Sequence, residues 1–143
     1  MSNRLKTALY LTLTAGCLAD MSGCGGSQAS TVSGQVTLDG VTLERGAVVL
    51  HPEEGGPVAY GSIDASGNYT VQTGDQHGLA PGEYAVTVVS TTIPPPATRD
   101  NPEPVGELIT PTRYRDRQTS GLLFTVLPGE NRIHLELSAD HGL

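Results

Sequence analysis

Apolar and polar residues alternate along most of this chain with a period of two, the spacing of a β-strand with one face buried. In "TVSGQVTL", residues 31–38, Val32, Val36 and Leu38 share one side. "AVVLHP" puts Val48 and Leu50 on one face and His51 on the other. "VAYGSI" follows, then "YTVQT" with Tyr69 and Val71 together, and "PGEYAVTVV" with Tyr84, Val86 and Val88 together. "GLLFTV" aligns Leu122, Phe124 and Val126. "NRIHLEL" turns Ile133, Leu135 and Leu137 inward and Arg132, His134 and Glu136 outward. Seven short strands are predicted, and no window of a dozen residues beyond the leader has helical periodicity. Turn signals recur every 8 to 12 residues, the mark of an all-β, seven-stranded antiparallel β-sandwich.

The punctuation supports this. Asp39-Gly40 is a tight-turn signal, because glycine accepts a positive φ. "DASGN", residues 64–68, spaces Asp64, Ser66 and Asn68 as a calcium loop would. The glutamate at the twelfth position of such a loop is missing, so the segment reads as a hairpin turn. Between Val89 and Gly121 the connection is long and holds Pro94, Pro95, Pro96, Pro102, Pro104 and Pro111. Prolines cannot donate to a sheet ladder, and a connection this long is usually functional or disordered.

The N-terminus has a different character. Arg4 and Lys6 precede "TALYLTLTAGCLA", an apolar run too short to span a bilayer but suited to a secretory signal. Ser22 and Gly23 then precede Cys24, which resembles the lipobox of bacterial lipoproteins. That resemblance implies cleavage before Cys24, acylation of its thiol and attachment of the mature chain to a membrane. Cys17, after "TAG", is the alternative attachment site. The expected organisation is a signal peptide with lipobox at 1–23, a flexible tether at 24–30, and a β-sandwich domain at 31–139 with a Pro-rich loop at 91–120. Gly25 stands where the family's inner-membrane retention signal has Asp, which favours an outer-membrane or periplasmic-face location.

Charge narrows the partners. The 143-residue chain has a formal net charge of -7, and its one lysine, Lys6, is in the leader. From Cys24 onward six arginines face fourteen acids. That balance argues against nonspecific nucleic-acid binding, which neutralises phosphates with Lys and Arg. Half of those arginines stand in "RYRDR". If that stretch is extended, Arg113, Arg115 and Arg117 project on one side and Tyr114 and Asp116 on the other. Guanidinium groups pair bidentately with carboxylate or phosphate, so Arg113, Tyr114, Arg115 and Arg117 are the candidate partner-binding residues. An envelope polysaccharide or protein is the expected partner. The opposing expectation is that these arginines pair with acids of the chain and pin the loop. The histidines, His51, His77, His134 and His141, lack zinc spacing, and no metal, cofactor or catalytic residues are predicted. No G-x-S-x-G elbow occurs.

"SGQVTLDGVTLERGAVVLHPE", "GSIDASGNYTVQTG", "APGEYAVTV" and "LPGENRIHLEL" resemble the carboxypeptidase regulatory-like domain, of transthyretin-like (prealbumin-like) architecture. The order of segments is similar to small bacterial lipoproteins of unknown function built from this one domain. The resemblance spans roughly residues 31–138. It implies a non-catalytic envelope lipoprotein with a structural or binding role. A carbohydrate- or peptide-binding module is the alternative, with Tyr60 and Tyr114 as the available aromatic platforms.

Overall fold

The computed structural model describes residues 29–140. The predicted leader, Cys17, Cys24, most of the tether and His141 lie outside the described residues. Ten strands follow one another: β1 Thr31–Leu38, β2 Val41–Thr42, β3 Gly46–Pro52, β4 Ala59–Ile63, β5 Asn68–Thr73, β6 Gln76–His77, β7 Gly82–Val89, β8 Leu123–Val126, β9 Glu130–Arg132 and β10 Leu135–Leu137. Among the described residues the helical content is one 3-10 turn, Thr112–Arg115. The all-β expectation is met. Each predicted strand is present, with "NRIHLEL" divided into β9 and β10, and β2 and β6 are short additions.

The strands form one sheet in the order β10-β1-β5-β4-β3-β7-β8, curled into a half-barrel, with β2 and β9 also on β1 and β6 on β5. Most pairings are antiparallel. The expectation of a wholly antiparallel arrangement is corrected at one place: β1 runs parallel to β9 and β10 in one register, from Thr31 opposite Glu130 to Leu38 opposite Leu137. A parallel pair needs a long crossover between its members. The first and last strands have the whole domain between them, so this pair meets that need.

Alternation places the core. Val48 and Leu50 of β3 lie opposite Val88 and Val86 of β7, and all four are fully buried. Val32 and Val36 of β1 and Leu135 of β10 extend this apolar interior. Each such side chain contributes roughly 1.5–3 kcal/mol relative to exposure. The β1–β2 turn is tight, with Leu38 opposite Val41 and positive φ at both Asp39 (50°) and Gly40 (80°). Those angles match the right-handed twist of the flanking strands.

The half-barrel has two ends. At one, Ser30 exchanges backbone hydrogen bonds of 2.8 and 2.9 Å with Leu79 just before β1 begins. At the other, β10 ends beside the β1–β2 turn, and the Ala139 N–H donates to Asp39 Oδ1 at 3.1 Å.

Candidate functional site

The long connection is ordered in two parts. Its outer arm returns on itself: Thr91 bridges Leu108, the Thr92 N–H donates to the Glu107 carbonyl at 2.8 Å, and the Glu107 N–H donates to Thr92 Oγ1 at 2.9 Å. Ile93 and Val105 on this arm are largely exposed. An apolar groove of about 590 Å³, lined in part by Val41, Leu43, Ile93 and Ile109, separates the arm from β2.

The second part runs along β7 beyond the reach of β8. The Ile109 N–H donates to the Ser90 carbonyl at 2.8 Å, and the Val86 N–H donates to the Leu122 carbonyl at 2.8 Å. Buried Thr110 accepts from the Ser90 N–H through Oγ1 at 3.1 Å. Loop backbone and one hydroxyl thereby take up polar groups on the edge of β7 and just beyond it.

Between these fastenings sits "TRYR". The expected extended strip, with three arginines on one side, is not formed. Pro111 (φ -52°, ψ 142°) starts a 3-10 turn, and the turn sends Tyr114 into the core. The Tyr114 hydroxyl accepts from the Ser138 N–H at 3.0 Å and from Arg113 Nη2 at 2.8 Å. Arg113 lies over the Tyr114 ring, 4.6 Å from its centroid, and donates to the carbonyls of Ser138 (2.6 Å) and Asp140. Arg113 and Tyr114 thus tie the loop to the chain after β10, across the open side of the half-barrel. Arg115 and Arg117 are exposed. The loop is pinned by Arg113 alone of the three arginines, and through carbonyl oxygens rather than through the acids of the chain that the opposing expectation named.

Arg117 acts at a distance on His51. His51 Nε2 is 3.2 Å from Thr87 Oγ1, and partial burial, then the Arg117 charge, hold the imidazole below its ordinary pKa. "DASGN" is a turn. Asp64 Oδ1 accepts from the N–H groups of Ser66 (2.8 Å) and Asn68 (3.0 Å), and Gly67 takes a positive φ of 78°. Among the described residues no cluster of His, Cys, Asp and Glu is arranged to hold a metal.

The sheet assembles a polar surface that sequence reasoning did not group. On the outer face of β4 and β5, Tyr60, Ser62, Asp64, Asn68, Thr70 and Gln72 line a shallow depression of about 370 Å³. A second, of about 310 Å³, shares Asn68 and Thr70 and continues over Ser33 to Arg132 and His134. Register explains the grouping. Tyr60 pairs with Gln72, Ser33 with Thr70, and Ser33 with Arg132. Tyr60 is 53% exposed, whereas Tyr114 is 5% exposed, so Tyr60 alone of the two expected aromatic platforms is accessible. The available signal was the outward row of each strand, Tyr60/Ser62, Thr70/Gln72 and Arg132/His134. Local alternation gives the rows but not which strands lie side by side.

Comparison with known proteins adds no relative: no family model, curated protein or solved structure matches this chain.

Proposed function

We propose that this is a non-catalytic, lipid-anchored lipoprotein of the cell envelope. In this reading its β-domain, of the carboxypeptidase regulatory-like, transthyretin-like sandwich type, has a binding or structural role. The observation that carries the reading is the sequence "MSGCGGSQAS": small residues, a cysteine, then a short run of Gly, Ser, Gln and Ala. Two or more acyl chains on Cys24 give stable membrane attachment, each buried methylene contributing ~0.8 kcal/mol. The tether reaches roughly 13 Å, and Ser30 lies at one end of the half-barrel. In this reading the domain sits close to the membrane, with the Ser30 end nearest the anchor.

Intact mass analysis of the protein extracted from its native membranes tests this. The expected product starts at Cys24 and carries acyl chains, and Cys24→Ala abolishes both acylation and membrane retention. A product acylated at Cys17 moves the anchor. A soluble product without fatty chains overturns the proposal. A second reading, a surface carbohydrate-binding module, is favoured by the exposed Tyr60 within a polar sheet face.

A further inference from the structure

We propose that the outer face of β4, β5, β1 and β9 binds a short acidic oligosaccharide, with Tyr60 stacked on a sugar ring and Arg132 paired with a sugar carboxylate. This deepens the binding-module reading and rests on it.

The chemistry of the face selects the ligand class. A sugar presents apolar C–H surface on its ring faces and hydroxyls around its rim. Tyr60 offers a half-exposed ring for the first. Ser62, Thr70 and Gln72 offer hydroxyl and amide groups, both donors and acceptors, for the second. The depressions are shallow; the first lies on the interior strands β4 and β5, and the second runs over β1 to β9, which pairs with β1 alone. Around Tyr60 an added peptide strand therefore has no free edge to pair with, and contacts there must come from side chains.

Charge selects the acidic form. Asp64 and Arg132 are the charged side chains lining the two depressions, with titratable His134 beside Arg132. Asp64 already accepts two backbone N–H groups through Oδ1. Arg132 is exposed, at the end of the row Thr70, Ser33, Arg132. Its planar guanidinium suits bidentate pairing with a carboxylate. With neighbouring strands ~4.8 Å apart, Tyr60 on β4 and Arg132 on β9 lie roughly 14 Å apart across the sheet. That span fits several linked sugar rings rather than one.

The test is calorimetric titration of the full chain in detergent micelles with an α-1,4-linked galacturonate trimer and with its neutral galactose counterpart. The expected result is saturable binding with preference for the uronate. Tyr60→Ala weakens it at least tenfold. Arg132→Gln removes the preference without changing affinity for the neutral trimer. Both variants should keep the wild-type melting temperature; Gln72→Ala provides a second exposed probe of the face should either fail to fold. Equal affinity for the two trimers overturns the acidic assignment and leaves the module reading standing. Absence of saturable binding to both, or binding indifferent to these substitutions, overturns the site itself. None of these outcomes depends on the lipid anchor.

Discussion

Tyr69 spans a gap that two glycines leave open. Gly34 lies directly opposite it on β1, and Gly61 is close by on β4. The buried ring occupies the space a side chain would take on either neighbour, and its hydroxyl donates to the Ile133 carbonyl at 2.7 Å. A Cβ added at Gly34 would collide with that same carbonyl, which is backbone and cannot rotate away. Gly34→Ala should therefore destabilise the fold by about 3 kcal/mol, the upper range for overpacking. The shift of the urea midpoint measures it, and a loss below ~1 kcal/mol would show that the strands can separate cheaply. The phenol also makes stability depend on pH. Burial pushes the Tyr69 hydroxyl well above its ordinary pKa, and Tyr84 is shifted in the same direction. A group raised on folding contributes fully below its unfolded pKa, about 10, and its contribution is lost as pH rises beyond it. Unfolding free energy should therefore fall above pH ~10, and Tyr69→Phe should fall less steeply. Parallel curves for the two proteins would exclude Tyr69 as the cause.

The Arg113–Tyr114 clasp, which ties the long loop to the chain after β10, and the strands differ in how far the sequence reveals them. Strand positions were legible because alternation is local: Val48, Leu50, Val86 and Val88 are buried where a period of two puts them. The parallel pairing of β1 with β10 was not legible, since register between distant segments leaves no local trace. The arginine strip was misread for a similar reason. "RYRDR" is short enough to be extended or turned, and the Tyr114 hydroxyl finds its partner at Ser138, far along the chain. The outward polar rows were visible singly, while their union into one face depended on strand order. Arg113 and Arg117, alike in the sequence, should separate sharply on mutation. Arg113→Ala removes donors to two carbonyls and the cation–π contact over Tyr114. A loss of roughly 1–3 kcal/mol is expected, with faster amide exchange over 109–122. Arg117→Gln and Arg115→Gln, at exposed sites, should stay within about 0.5 kcal/mol. Equal effects at all three positions would contradict the clasp.

At the scale of the whole molecule, the curled sheet closes imperfectly and the imperfection has two sides. The loop covers the edge of β7 beyond β8, but β8 itself ends the hydrogen-bonded path. Leu123 within it and Leu127 just after it are 59% and 62% exposed. An apolar outer strand without lysine or proline inside it invites pairing with another chain. Self-association should increase as pH falls below neutrality and the acidic chain loses its net negative charge. Leu123→Lys should suppress it in light scattering, and equal scattering from both proteins would locate the contact elsewhere. On the opposite side, β1 begins where Ser30 meets Leu79, and β10, its parallel partner, ends at the far end of the barrel. Tension applied at residues 30 and 138 would load the whole β1–β9–β10 ladder in shear, so its bonds must rupture together. Pulling instead through Gly82 and Val126, which face each other on β7 and β8, would unzip one rung at a time. Single-molecule stretching should record a markedly higher rupture force in the first geometry, which would make this small domain a stiff link when drawn taut.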